Sequence, residues 1–129
     1  MEYTLQKQRI LVVDDEEKIA TGLRDSLEAL PNCEIAVATG GEQALQLFQQ
    51  CPFDLLITDY QMPGTNGITL ATRIQQFYSQ TTIIMVTAYT SDALHEQAAR
   101  ASIQCILQKP VSIAEIRRVA LKVLQVRQP

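Results

Sequence analysis

Reactive side chains recur at the ends of the apolar runs of this sequence. Asp14 and Asp15 follow Ile10–Val13, Asp59 comes just beyond Leu55–Ile57, Thr87-Ala88 follows Ile83–Val86, and Lys109-Pro110 comes just beyond Cys105–Leu107. Three carboxylates brought close repel one another, and each would otherwise take up a proton. A cation removes that conflict. Oxygen donors with no Cys or His among them select a hard ion, Mg²⁺ or alternatively Mn²⁺. Three acids suffice if one of them is itself the group that becomes phosphorylated. Lys109 then supplies positive charge for phosphate oxygens and the Thr87 hydroxyl a hydrogen bond. The chemistry this allows is a metal-assisted attack by a carboxylate that forms an acyl phosphate. Each piece alone has a plainer use: Asp15 or Glu16 as a helix cap, Thr87 as a turn residue, Lys109-Pro110 as a solvated loop.

What turns four ordinary pieces into a set is the framework between them. Ile10–Val13, Ile35–Val37, Leu55–Ile57, Ile83–Val86 and Cys105–Leu107 read as strands. The first, third and fourth are apolar at nearly every position, as in parallel strands covered on both faces. Helical patterns alternate with them. Ile19, Leu23, Leu27 and Leu30 share a face that stops at Pro31. Thr39-Gly40-Gly41-Glu42 has capping-box spacing and precedes Ala44, Leu45 and Phe48. Leu70, Ala71, Ile74, Phe77 and Tyr78 follow Gly67, and Leu94, Ala98 and Ala101 follow Ser91. Ser112-Ile113-Ala114-Glu115 is a second capping box, opening a helix that carries Ile113, Ile116, Ala120, Val123 and Leu124. Five βα units in succession predict a doubly wound five-stranded parallel α/β sheet with helices on both faces. Ligands of such sheets bind outside the carboxyl ends of the strands, where strand order reverses. That is where the reactive residues fall.

The remaining arithmetic narrows the class. A chain of 129 residues is one domain by size. With 47% hydrophobic and 19% charged residues it reads as globular rather than disordered. The net charge of −3 provides no overall field toward nucleic acid or anionic lipid. The start, Met1 to Lys7, has an acid at the second position and no apolar core, so a signal peptide is not expected. Cys33, Cys51 and Cys105 form neither a disulfide framework nor a zinc set, and are expected to be buried reduced thiols of a cytoplasmic protein.

The residues at these run ends carry a resemblance. Val12-Val13-Asp14-Asp15-Glu16, Leu56-Ile57-Thr58-Asp59-Tyr60-Gln61-Met62-Pro63-Gly64 with Gly67 beyond, Val86-Thr87-Ala88 and Lys109-Pro110 together resemble the receiver domain of bacterial two-component response regulators. The match runs from about Arg9 to Val126, so that residues 1–129 would form a single receiver domain with its core at about 9–126. The resemblance implies a flavodoxin-like (βα)5 fold with strand order 2-1-3-4-5. It makes Asp59 the phosphoacceptor, Asp15 a direct and Asp14 a water-mediated Mg²⁺ ligand, and the Gln61 carbonyl the remaining protein ligand. Thr87 becomes the switch hydroxyl and Lys109 the partner of the phosphoryl group, with Pro110 after a cis peptide bond. It implies a sensor histidine kinase or histidine phosphotransfer protein as phosphodonor. The face of the fourth helix, fifth strand and fifth helix would address an effector domain or downstream protein, with a homodimer as an option. Neither nucleic-acid nor membrane binding by this chain is expected, and no external substrate is turned over. Arg117, Arg118, Lys122 and Arg127 read as a solvated basic face of the last helix. The sequence departs from the family at Ile106, where an aromatic switch residue is usual. The switch is therefore expected in the loop from Thr87 to Ser91 and in the fourth helix.

Two other readings fare worse. An aspartyl-phosphate phosphohydrolase needs a second Asp two residues after its nucleophile, where this chain has Gln61. A flavin carrier needs a Ser/Thr/Gly-rich phosphate loop after the first strand, where Asp14-Asp15-Glu16-Glu17 would repel a phosphate.

Overall fold

The computed structural model describes residues 7–126; residues 1–6, read above as part of a start without signal-peptide character, and Arg127 lie outside them. Strands and helices alternate as β1 (Gln8–Val13), α1 (Glu17–Leu27), β2 (Cys33–Ala38), α2 (Gly41–Gln50), β3 (Leu55–Asp59), α3 (Gly67–Phe77), β4 (Thr82–Thr87), α4 (Asp92–Arg100), β5 (Cys105–Gln108) and α5 (Ile113–Val126). The strands form one parallel sheet in the order β2-β1-β3-β4-β5, as expected.

Alternation along the strands builds two cores. Leu11 and Val13 of β1 face one way, with Phe48 of α2, Leu70 and Ile74 of α3, and Leu94 of α4. Ile10 and Val12 face the other way, with Ala20 and Leu27 of α1 and Ile116, Ala120 and Leu124 of α5. This is why the central runs are apolar at successive positions: each residue meets a helical layer on its own side.

Several local expectations are corrected. α1 ends at Leu27; Leu30 is buried in the turn that follows, its amide donating to the Leu27 carbonyl. The N-cap of α2 is Gly40, and the residue reaching back is Gln43, whose Oε1 accepts from the Thr39 amide at 2.9 Å; Glu42 plays no part in it. Phe77 is 75% exposed rather than in the core. Phe77 and Tyr78 compete for the slot one turn beyond Ile74, and Tyr78, leaving the helix, takes it with its ring 5.0 Å from that of Phe48. Ile113, in the first turn of α5, is also exposed. The cysteines are not buried: Cys51 is exposed, and Cys33 and Cys105 are half-buried. Desolvation and the nearby Asp54 raise the Cys33 thiol pKa. Cys105 is raised by desolvation against the opposing pull of Lys122 and Arg118.

Candidate functional site

Strand register places the site. Val13 pairs with Thr58, so Asp14 and Asp59 leave their strands side by side, at the point where the sheet order reverses between β1 and β3. Asp59 is level with Val86, which puts Thr87 one step further along β4. Thr87 pairs with Gln108, and Lys109 follows it.

Asp14 is 1% exposed and fully engaged. Its Oδ1 accepts from the Glu16 amide at 2.9 Å, bracing the entry to α1, and its Oδ2 accepts from Lys109 Nζ at 3.0 Å. The capping expectation holds for Glu16 in position but not in contact. Glu16 is the N-cap of α1 but makes no side-chain cap bond, and Asp14 supplies the local carboxylate contact instead. Lys109 Nζ also lies 3.2 Å from Asp59 Oδ1, so one ammonium bridges two carboxylates separated by 45 positions in the chain. Asp15 is exposed, and its ligand oxygen lies within 4.8 Å of those of Asp14 and Asp59. The chemistry of this donor set fits a hard cation: carboxylate oxygens only, one of them on the solvent side, at a spacing a single ion can span.

Burial is the first cause that raises the Asp59 pKa, and the negative charge of Asp14 adds to it. The charge and hydrogen bond of Lys109 and a backbone hydrogen bond from Tyr60 oppose the rise without cancelling it. For Lys109, burial pulls downward, but the hydrogen bond and charge of Asp14 and then the charge of Asp59 outweigh it and raise the ammonium pKa. The sign for stability follows. Folded Asp59 holds its proton more tightly than the unfolded chain does, so ionising it weakens the fold. Stability is lost as pH rises from the ordinary carboxylate range through the higher Asp59 value. In metal-free buffer Asp59→Asn is therefore expected to match the wild type in thermal midpoint below about pH 4 and to exceed it increasingly as pH rises through that window. Paired melting curves across pH check this; a gap that narrows with rising pH would contradict it.

The loop after β3 carries the carboxylate on a rigid base. The Gly67 amide donates to the Tyr60 carbonyl at 2.8 Å, the Asn66 side chain caps α3 by accepting from the Thr69 amide at 2.9 Å, and Met62 is buried in the core. Gly67 passes so close to the strand end that a Cβ there would sit 2.5 Å from the Asp59 carbonyl oxygen. In the sequence Gly67 marks a helix start and belongs to the motif that carries the resemblance, but neither signal gives its close approach to the strand end; in the structure it is the first residue of α3. Gln61 is exposed on this loop, beside a cleft of about 410 Å³ shared with Tyr60, Met62, Pro63 and Asn66.

Thr87 is at the same edge and 2% exposed, but its hydroxyl is turned to its own loop. It donates to the Tyr89 carbonyl at 3.0 Å and accepts from the Tyr89 amide at 3.3 Å. The structure thus brings Asp14, Asp15, Asp59 and Lys109 together and holds Thr87 beside them, engaged elsewhere. The Lys109–Pro110 bond is cis.

Comparison with known proteins places the chain in a family. The family model described as the response regulator receiver domain matches residues 10–121. The chain is 34% identical over 125 residues to the response regulator protein PilR of Pseudomonas aeruginosa, covering 97% of this chain and 28% of that protein. It spans less than half the length of the first curated relatives it matches. Among solved structures, the signal receiver domain of an HD domain-containing protein from Pseudomonas fluorescens superposes with a TM-score of 0.87 at 32% identity, covering 94% of this chain and 97% of that one. The chemotaxis protein CheY4 of Vibrio cholerae does so with a TM-score of 0.85 at 25% identity, covering 91% and 98%.

Proposed function

The chain belongs to the response regulator receiver family of two-component signalling, and from that premise we propose that Asp59 is its phosphoacceptor. The observation that carries this assignment is the convergence of Asp14, Asp15, Asp59 and Lys109 at the reversal of the sheet. Asp59 suits the role better than its neighbours. Both oxygens of Asp14 are already committed, and Asp15 stands outside the reach of Lys109 among the ion pairs of the described residues. Asp59 attacks the phosphorus of a phosphohistidine or small acyl phosphate; the new carboxylate–phosphorus bond forms as the donor's bond to phosphorus breaks. Lys109 holds positive charge beside the oxygens of the arriving group.

Asp14, Asp15 and Asp59, with the Gln61 carbonyl, are the proposed ligands of Mg²⁺ or Mn²⁺. A bound divalent cation supplies neutralisation of the phosphoryl charge. Thr87 is the hydroxyl that turns to the phosphoryl group. The whole chain is proposed as one receiver domain whose only turnover is its own phosphorylation and dephosphorylation. Its donor would be a sensor histidine kinase or histidine phosphotransfer protein, and its output would pass through the α4-β5-α5 face to an effector domain, a downstream protein or a second copy. The proposed location is cytoplasmic; no described helix is long and apolar enough to cross a membrane.

Incubation with acetyl phosphate and Mg²⁺ tests the reading. An intact-mass gain of one phosphoryl group, labile to hydroxylamine and lost when EDTA replaces Mg²⁺, is expected; no gain under any divalent ion would sink it. Asp15→Ala is expected to weaken Mg²⁺ binding by roughly 10- to 100-fold, the scale for losing even an outer partner of a bound metal. Isothermal titration of the metal alone measures it, and unchanged affinity would remove Asp15 from the site.

A further inference from the structure

The Thr87 hydroxyl has one proton, and in this structure Tyr89 holds it. The Tyr89 carbonyl accepts it at 3.0 Å, while the hydroxyl oxygen accepts from the Tyr89 amide at 3.3 Å. Tyr89 is 74% exposed. Beside it lies a cleft of about 310 Å³, lined by Tyr60, Thr90, Ser91, Ala93, Leu94 and Gln97 in addition to Tyr89 itself. That space exceeds a phenol ring, and its walls are the β3 end, the loop and the first turns of α4.

We infer that Tyr89 is a latch, released when the Thr87 hydroxyl donates to a phosphoryl oxygen on Asp59 and closing with its ring in the cleft between Tyr60 and Leu94. The inference rests on the phosphoacceptor reading and adds the element that reports the state of Asp59 to the surface. A hydroxyl that gives its proton to a phosphoryl group cannot also give it to the Tyr89 carbonyl. Losing that bond costs little, because the segment from Ala88 to Ser91 is exposed and water replaces the donor. The ring then gains burial it lacks in the open state. The neighbouring elements are less free to respond. Ile106 is packed against the buried core, and α4, which the sequence marked as the easiest helix to move, is seated on that core through Leu94 and Ala98. Motion is thereby confined to the few residues between Thr87 and Ser91. Closure replaces a protruding aromatic at the head of α4 with a filled surface, so a partner reading that face meets a different shape in each state.

Tyr89→Trp provides the test, since the chain contains no tryptophan and the site is exposed enough to accept one. BeF₃⁻ with Mg²⁺ is the probe, and ¹⁹F NMR shows independently whether it is bound. With BeF₃⁻ bound, the indole emission is expected to shift to the blue and its quenching by acrylamide to fall severalfold. Adding Thr87→Val to that variant is expected to abolish the BeF₃⁻-dependent change while the fold, read by circular dichroism, is retained. Bound BeF₃⁻ with unchanged quenching would overturn the latch and leave the phosphoacceptor assignment standing, as would a full response in the Thr87→Val background. Wild-type protein that binds no BeF₃⁻ would overturn the assignment and the latch with it.

Discussion

Asp59→Asn is expected to acquire no labile phosphoryl group from acetyl phosphate. The loss is expected on the order of 10³-fold or more in rate, because without the nucleophile no bond to phosphorus can form. The substitution changes one oxygen to an amide, so it preserves shape and leaves Asp14 as a partner for Lys109 at 3.0 Å. Intact mass before and after hydroxylamine reads the outcome directly. Labelling that persists at the wild-type rate would transfer the role to Asp15, the exposed member of the cluster. It could not transfer easily to Asp14, one of whose oxygens braces the Glu16 amide while the other holds the ammonium. The same substitution should also weaken Mg²⁺ binding, since it removes one of three carboxylate charges from the set.

Gly67→Ala is expected to damage fold and site together. Its Cβ would lie 2.5 Å from the Asp59 carbonyl oxygen and 3.1 Å from the Tyr60 Cα, both backbone atoms that no side-chain rotation can clear. Overpacking of this kind costs about 1–3 kcal/mol, and the strand end can relieve it only by moving the residue that bears the carboxylate. A fall in thermal midpoint of roughly 5–10 °C should accompany slowed phosphorylation and weaker Mg²⁺ binding. Gly22→Ala supplies the contrast. Gly22 lies within α1 with nothing inside 4 Å of the added carbon. There the substitution should stabilise by about 0.5–1 kcal/mol, because a helix interior favours Ala over Gly. Thermal melts of the two variants beside phosphorylation rates distinguish a local packing effect from a general intolerance of the fold. Equal stability of Gly67→Ala and the wild type would refute the close-approach argument.

The order of elements and the ends at which chemistry collects were legible in the chain itself. Runs such as Ile10–Val13 and Ile83–Val86, apolar at successive positions, are stable only as strands covered on both faces, and the helical stripes between them supply the covers. Carboxylates directly after such runs therefore had to emerge at one edge of the sheet, and resemblance to a known family supplied their roles and the strand order. Periodicity states which side of a helix is apolar but not how many side chains the sheet can receive. Hence Phe77 and Tyr78 looked equivalent until the ring of Phe48 took Tyr78 and left Phe77 in solvent. The bridge from Lys109 to Asp14 spans 95 positions and depends on register across four strands, a property of the assembled sheet. Which way the Thr87 hydroxyl turns is a choice of side-chain rotamer, and how closely Gly67 passes the Asp59 carbonyl is set by the path of the loop after β3. Residue type and spacing are sufficient to bring the right groups to one edge, because burial acts on whole segments. The pairing of individual donors with acceptors was decided only by the packed structure, because hydrogen bonds and steric contacts act over distances shorter than a side chain.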